Sequence, residues 1–397
     1  MVSSHTWHWR ALIGLTVLTL AGGFLLPKIA VAPELDEQRV LATLPAPIRG
    51  PGDLEDYRNE LNAYVADRFP ARPYLIGWLN AARMPFGVSG SGKVIVGRDG
   101  WLFYDNDTHL GEIRNDPPLG APTAREAMYH LAGRTEYLQQ RGIKYLVVSP
   151  PQKEALYPQL APYWFKASAQ RPAMVLPGMA RAAQAGDILY LYDFLQEPAK
   201  SSPGLFSRHD THWTGLGAHY GYVGMMNRLK AMGVGEDPRP LSDFQANPVA
   251  LWGPRDLAMM LGVSSFVKLT YQDHSDKQAE GRLNTIFLGE NRSWTGPQVV
   301  DTGQAGKPVL MMSRDSFSNA LVPFLYSHFS RLILTHNQDG TWREDLINRF
   351  HPDVVVLEVI ESGIPASLGD GPQPSEAAKA RIDAVVKAQF PLQSMPR

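Results

Sequence analysis

Residues 308–317, PVLMMSRDSF, carry the pattern on which the fold prediction depends. The run 308–312 is continuously apolar, which is typical of a strand buried on both faces of a sheet. A short polar turn follows, and a helix is predicted to begin near Phe317. Further strands are predicted at comparable apolar runs, namely 143–149, 188–192, 332–335 and 353–360.

Helical segments separate these strands. Thr123 and Glu126 have the spacing of a capping box, which predicts a helix ending near Gly142. Thr214 is expected to cap a helix that runs to about Met232, and an amphipathic helix is predicted over 375–390. Strands alternating with helices indicate an α/β fold, with a mostly parallel sheet and helices on both faces. The less regular segment 234–300 is expected to be an insertion or an antiparallel edge.

The composition excludes several classes of protein. The 397 residues carry 38 Lys and Arg against 39 Asp and Glu, and no cysteine. Disulfides, Cys-ligated zinc, iron–sulfur clusters and thiol catalysis are therefore ruled out. Without a basic surplus, nucleic acid is not an expected partner. No nucleotide fingerprint or phosphate loop is present, so we expect no cofactor.

The N-terminal region predicts export. Residues 11–26, ALIGLTVLTLAGGFLL, are uncharged and follow Arg10. Sixteen helical residues span about 24 Å, somewhat short of a ~30 Å hydrocarbon core. We predict a signal anchor or signal peptide within 1–32, and favour an uncleaved anchor formed by 11–26. Arg10 would then stay in the cytoplasm and the rest of the chain would be periplasmic. A buried core helix is the alternative.

The remaining chain is divided by its composition into two parts. Residues 33–93 are predicted to form an extended arm and a helical lead-in, and 94–397 the catalytic domain. The stretch 94–104, VIVGRDGWLFY, opens this domain and predicts a β-hairpin with its turn at 97–100.

Two short stretches carry candidate catalytic residues. Asp210 and His212 lie just before the helix that Thr214 caps, and an aspartate can fix the tautomer of a nearby imidazole. Ser316 follows a predicted buried strand. In open α/β sheets, catalytic groups lie beyond the carboxyl ends of the strands. The backbone N–H groups of Ser316 and Phe317 are expected to be free to bind an oxyanion. Together these residues supply a nucleophile, a base and an orienting acid.

Each candidate also has a structural interpretation. Ser316 could simply cap a helix, and Ser313 and Ser318 lie nearby as alternative serines. We favour Ser316 because Ser313 falls near the end of the strand and Ser318 inside the helix. His212 could be a structural histidine, or a metal ligand beside His209 and Asp210. No further ligand is evident from spacing, so no metal is expected.

Six stretches follow one another along the chain, namely 39–42, 64–72, 94–104, 150–157 with Lys153, 210–213 and 315–317. In this order they resemble the alginate O-acetyltransferase family of the AlgJ and AlgX type, whose catalytic domain is a variant of the SGNH-hydrolase fold. The order of the candidate catalytic residues, with Asp and His before Ser, also fits that family. The chain ends soon after the 375–390 helix, which favours the AlgJ type over the AlgX type with its carbohydrate-binding module.

The resemblance implies a periplasmic enzyme that moves acetyl groups onto hydroxyls of an exported polysaccharide through an acetyl-enzyme. Asp210, His212 and Ser316 would form the triad, and a membrane O-acyltransferase would supply the acetyl group. The sequence departs from the family at Arg314, where the family usually has glycine. It also has His336 and Asn337 where relatives often have arginine, so no side-chain oxyanion donor is assigned.

Two other functions remain open at this point. A polysaccharide acetylesterase needs the same triad, because water can replace the acceptor hydroxyl. A non-catalytic periplasmic scaffold of the export complex is the second alternative, and Arg314 is the feature that favours it. Trp101, Trp213 and Trp252 are candidate sugar platforms, although each also fits a core position.

Overall fold

The computed structural model describes residues 5–37, 39–248, 255–268 and 272–391. The strands are β1 (Val94–Val96), β2 (Leu102–Tyr104), β3 (Lys144–Ser149), β4 (Ile188–Tyr190), β5 (Gln245–Ala246), β6 (His274–Ser275), β7 (Asn284–Phe287), β8 (Gln298–Asp301), β9 (Val309–Arg314), β10 (Arg331–His336) and β11 (Val354–Glu358). The helices are α1 (His5–Ile29), α2 (Leu54–Arg68), α3 (Arg72–Arg83), α4 (Gly111–Arg114), α5 (Ala121–Gln139), α6 (Lys153–Leu156), α7 (Pro172–Ala183), α8 (Tyr192–Ser201), α9 (Gly215–Ala231), α10 (Asp256–Met260), α11 (Lys277–Glu280), α12 (Ser318–Leu321), α13 (Glu344–Phe350), α14 (Ile364–Ser367) and α15 (Glu376–Gln389).

The chain forms two compact units. The first comprises Met1–Asp107 and Pro254–Lys268, and the second comprises Thr108–Gly253 and Leu269–Arg397. In the first unit, β1 and β2 pair antiparallel around a 3₁₀ turn at Arg98–Gly100, so the predicted hairpin is confirmed. Buried side chains of the hairpin and of α10 form the apolar core of this unit.

The N-terminal helix contains the predicted anchor segment. Its stretch Trp7–Ile29 is long and apolar enough to cross a membrane by length and composition. A signal sequence at the N-terminus meets the same criteria, so the helix alone is weak evidence for either.

The second unit is built on a seven-stranded sheet in the order β4-β3-β11-β9-β10-β8-β7. The first five strands are parallel, whereas β8 and β7 pair antiparallel at one edge. The expected mostly parallel sheet is therefore confirmed, and part of the irregular 234–300 segment supplies the expected antiparallel edge. The carboxyl ends of the five parallel strands lie at the same edge of the sheet, where a site is expected.

Both faces of this sheet are covered. Side chains of α5, α7 and α15 pack with Met311, Ile333 and Val355 on one face. The alternate residues Leu310 and Leu332 point to the other face and are also fully buried. Burial on both faces explains why these strands are continuous apolar runs rather than alternating ones.

The predicted helix starts are correct in two cases and wrong in one. Thr214 accepts a hydrogen bond from the Gly217 amide, and Ser375 caps α15 in the same way. The capping box at Thr123 is wrong, because α5 already begins at Ala121. Pro122 occupies the first turn of α5. Proline is favoured there because its fixed φ is helical and because the backbone N–H that it lacks would have no partner within the helix at this position.

Candidate active site

Ser316 lies in the turn between β9 and α12, at the carboxyl end of a strand in the middle of the sheet. The strand ends at Arg314, and the four-residue helix α12 begins at Ser318. The chain must therefore reverse direction over three residues. That sharp turn keeps the Ser316 side chain half-buried at the surface, whereas Ser313 and Ser318 are buried.

Asp210 and His212 lie in a closed loop that leads into α9. The Thr214 amide donates to the Leu205 carbonyl (2.9 Å), which closes the base of this loop. A side chain at Gly217 would clash with that same carbonyl, so glycine is required there. The indole N–H of Trp213 donates to the Phe317 carbonyl (2.9 Å) and links the loop to the turn that carries Ser316.

Lys153 binds the backbone of the same loop. Its ammonium group, which is buried, donates to the carbonyl oxygens of Ser207 (2.9 Å) and Asp210 (2.8 Å). A buried ammonium needs such acceptors because it has lost its water. Lys153 therefore holds the backbone of the aspartate in position, which gives the predicted 150–157 stretch a definite role in the site.

The three predicted catalytic residues form a continuous chain of hydrogen bonds. Asp210 Oδ1 lies 2.6 Å from His212 Nδ1 and also accepts the His212 backbone N–H (2.9 Å). His212 Nε2 lies 2.8 Å from Ser316 Oγ. A carboxylate can only accept, so Nδ1 carries the proton and Nε2 is left to accept the serine hydroxyl proton. This is the arrangement in which an imidazole can act as a general base.

A second carboxylate organises the turn itself. Asp315 accepts the amide of Phe317 through Oδ1 (2.9 Å) and the amide of Ile360, beyond β11, through Oδ2 (2.7 Å). The Asp315 amide in turn donates to Glu358 (3.1 Å), at the end of β11. Burial and the neighbouring charge of Asp315 hold the pKa of Glu358 well above its usual range. This shift favours the proton on Glu358 and the negative charge on Asp315.

This arrangement corrects one expectation about the oxyanion site. The Phe317 amide was expected to be free, but it is bound to Asp315. The Ser316 amide has no acceptor among the residues that the structure describes, so it remains available to an oxyanion. Asp315, one residue before the serine, accepts the Phe317 amide that an oxyanion would otherwise use. The spacing of the residues alone did not reveal this contact.

Arg314 stands where the family usually has glycine, and its side chain points away from the turn that carries Ser316. Its buried guanidinium donates to the carbonyl of Trp294 (2.8 Å) and to the side-chain oxygens of Ser318 (3.3 Å) and Asn319 (3.2 Å). The side chain thus lies between α12 and the loop that precedes β8, and the Ser316 turn forms despite it.

The residues after β10 have defined contacts as well. His336 Nδ1 accepts the Gln338 amide (3.1 Å), so its proton lies on Nε2. Asn337 donates to the Glu358 carbonyl (2.9 Å) and so links β10 to β11.

Of the two interpretations of the candidate tryptophans, the core position is the one that the structure confirms where it can be compared. Trp101 and Trp213 are buried in the cores of their units, and Trp252 lies outside the described residues. The exposed tryptophan beside the nucleophile turn is Trp294, which the sequence analysis did not single out. Its signal was a lone tryptophan within the polar stretch NRSWTG, which is typical of a loop and not of a core element.

A buried acid, Glu154, lies next to Lys153 on α6. Burial, reinforced by the negative charge of Glu361, raises the pKa of Glu154 to about 8. Glu361 itself is paired with Arg171 (2.9 Å) and Tyr190 (2.7 Å). Because Glu361 has these partners, Glu154 is the group that takes up a proton.

A parallel sheet with a serine, a histidine and an aspartate joined by hydrogen bonds at its carboxyl edge defines a serine-hydrolase-like protein. The family model described as the SGNH hydrolase-like domain of the acetyltransferase AlgX matches residues 94–341. The chain belongs to this family.

Relatives and solved structures agree with this fold. Two probable alginate O-acetylases AlgJ, from Pseudomonas aeruginosa and Pseudomonas putida, are each 31% identical, over 135 and 147 residues. These matches cover 32% and 34% of this chain and only 31% and 34% of the relatives, about a third of their length. The structure of Bacillus cereus PatB1 with a sulfonyl adduct superimposes with a TM-score of 0.55 at 12% identity, over 72% of this chain and 100% of that one. That likeness shows the shared fold.

Glu154→Gln is expected to stabilise the protein increasingly as the pH rises from 5 to 8. The pKa of Glu154 in the folded state, about 8, lies above its unfolded value of about 4.5, so the folded state holds the extra proton between these limits. Wild-type stability therefore falls with rising pH, by up to about 1.4 kcal/mol per pH unit for one group. Urea unfolding of both proteins at pH 5, 6.5 and 8 measures the difference.

Glu126→Gln, at an exposed position on α5, is the matched control and should show no such trend. A Glu154→Gln stability difference that stays constant from pH 5 to 8 would show that Glu154 is ionised in the folded protein.

Proposed function

We propose that this chain is a periplasmic O-acetyltransferase that transfers acetyl groups to hydroxyls of an exported polysaccharide. The observation that carries the proposal is the hydrogen-bonded series Asp210–His212–Ser316, in a chain that belongs to an acetyltransferase family. The relatives named as alginate O-acetylases favour alginate or a similar exopolysaccharide as the acceptor.

The reaction follows from the proton positions. Ser316 Oγ attacks the carbonyl carbon of the donor acetyl group, and its proton moves to His212 Nε2. The bond between that carbon and the donor oxygen breaks, and His212 returns the proton to the leaving oxygen. A sugar hydroxyl then attacks the acetyl-Ser316 carbonyl while His212 takes its proton. The bond between the acetyl carbon and Ser316 Oγ then breaks, and His212 gives its proton to Ser316 Oγ, so the acetylated sugar leaves and the free serine is restored.

The Asp210 carboxylate keeps His212 in the tautomer that this cycle needs and stabilises the imidazolium that forms twice. The Ser316 amide supplies one donor to the tetrahedral oxyanion. A membrane O-acyltransferase would supply the acetyl group. The α1 helix would anchor the chain in the inner membrane beside that enzyme. No step calls for a cofactor or a metal.

Acetylesterase activity would use the same acetyl-enzyme, with water in place of the sugar hydroxyl. The two activities differ only in the acceptor. Adding an unacetylated alginate oligosaccharide to a chromogenic acetyl ester assay distinguishes them, because a transferase forms acetylated sugar in preference to free acetate.

Ser316→Ala is expected to abolish formation of the acetyl-enzyme, because it removes the hydroxyl that lies 2.8 Å from His212 Nε2. Mass spectrometry of protein quenched during turnover of a chromogenic acetyl ester locates the acetyl group. Ser313→Ala, a buried neighbour on β9, is the control and should be acetylated as the wild type is. Acetyl found on Ser313 or Ser318 would move the nucleophile away from Ser316.

Asp210→Asn is expected to lower kcat about 10⁴-fold while the fold persists. The amide leaves the imidazole without a carboxylate to orient it and to stabilise its charge. Steady-state kinetics with the chromogenic ester measure this loss, and circular dichroism checks the fold. An Asp210→Asn enzyme with near-normal kcat would remove Asp210 from the mechanism.

The membrane topology predicts the behaviour of reporter fusions. A C-terminal alkaline phosphatase fusion is expected to be active and a C-terminal cytoplasmic reporter inactive, because Arg10 before the apolar segment retains the N-terminus in the cytoplasm. Membrane fractionation with and without carbonate washing distinguishes an anchor from a cleaved signal. An inactive phosphatase fusion combined with an active cytoplasmic one would contradict the periplasmic location.

A further inference from the structure

A cleft of about 420 Å³ opens beside the nucleophile turn, on one face of the sheet. Its floor consists of the buried side chains of Val300 on β8, Leu334 on β10 and Val322 after α12. The volume lies within the range of ligand sites and is far larger than an acetyl group requires. Arg314 and Asn319 line the cleft two residues before and three residues after Ser316, so it adjoins the candidate nucleophile.

The walls of the cleft combine aromatic rings with hydrogen-bonding groups. Phe287, Trp294 and Tyr326 supply the rings, while Gln298 and Asn319 supply carboxamides. A sugar ring has apolar C–H faces and a rim of hydroxyl groups that both donate and accept hydrogen bonds. Aromatic surfaces match the first of these features, and carboxamides match the second.

Trp294 is held in place by two neighbouring side chains. The Arg314 guanidinium binds its carbonyl (2.8 Å) and lies 5.5 Å from the centre of its ring. The His336 ring meets the indole edge-to-face at 5.0 Å. Although fixed on these sides, the side chain is 40% exposed. A large aromatic ring that is both held and exposed is suited to binding, because little side-chain entropy remains to be lost.

Arg314 couples this wall to the catalytic turn. Besides Trp294, it binds Ser318 and Asn319 in the helix that directly follows Ser316. A glycine at this position could make none of these contacts. The substitution therefore connects the loop that carries Trp294 to the element that positions the nucleophile.

We propose that this cleft, the Trp294 cleft, binds one sugar residue of the acceptor polysaccharide while a neighbouring residue of the same chain receives the acetyl group. Ser316 adjoins the cleft without lining it, so the sugar bound there is not the one that reacts. The inference rests on the proposed function, since it assigns a subsite to that reaction. It makes acceptor affinity depend on chain length.

The test compares acceptors of two lengths on the full-length protein, with a chromogenic acetyl ester as donor. The long acceptor is an unacetylated alginate hexasaccharide, and the short one is the methyl glycoside of one of its sugars. In the wild type, the hexasaccharide is expected to have a KM at least tenfold below that of the glycoside. Trp294→Ala should remove most of this advantage, about a tenfold change in KM.

Two further variants make the result specific. Trp294→Phe retains an aromatic ring and should keep part of the length advantage, which a mere folding defect at this position would not do. Trp164→Ala removes a tryptophan of the same unit that is equally exposed, at 42%, and should keep the full advantage.

The outcomes separate the two proposals. If the wild type releases acetate but acetylates neither acceptor, the transferase proposal fails and the subsite falls with it. If the wild type acetylates both acceptors and Trp294→Ala keeps the full length advantage, only the subsite is overturned. The same holds if Trp164→Ala alone removes the advantage.

Discussion

The half-buried carboxylate of Asp315 is the constraint on which the candidate site depends. It receives the amides of Phe317 and Ile360, and so joins the end of β9 to the chain beyond β11. Burial and the charge of Asp315 raise the pKa of Glu358 well above its usual range, which favours the proton on Glu358 and the charge on Asp315. A charged Asp315 accepts these two amides more strongly than a neutral carboxyl group would. The Ser316 turn is therefore shaped by electrostatics inside the sheet edge, in addition to the local preference of its residues.

The loop that carries Asp210 and His212 is also fixed in position, by different interactions. Lys153 binds the carbonyls of the loop that carries Asp210, and Trp213 joins that loop to the Phe317 carbonyl. The imidazole of His212 is thus placed between two elements that are each anchored in the core. Preorganisation of this kind lets a base reach its nucleophile without a loss of orientational freedom at the moment of reaction.

Arg314 shows how a departure from a family pattern can leave the hydrogen bonds among Asp210, His212 and Ser316 in place. Its backbone continues β9, and its side chain leaves the turn and joins Trp294 to α12. The same substitution that favoured a non-catalytic scaffold at the level of sequence thereby builds one wall of a cleft next to the serine. In the function we propose, acetyl chemistry and acceptor recognition would share this one residue as a structural link.

The sequence by itself determined the α/β class and the positions of the parallel strands, and it offered Asp210, His212 and Ser316 as candidate catalytic residues. Apolar runs report burial directly, and a residue that follows a buried parallel strand must lie at the carboxyl edge of the sheet. The grouping of these residues as a triad came from the family resemblance, and the structure places His212 and Ser316, 104 positions apart, within hydrogen-bond distance. Only the tertiary structure decided which amide remains free for an oxyanion, which carboxyl group carries the proton and which tryptophan faces solvent. Each of these depends on neighbours distant in sequence, as when Glu358 meets Asp315 or Arg314 meets Trp294, and a local pattern contains no information about such contacts.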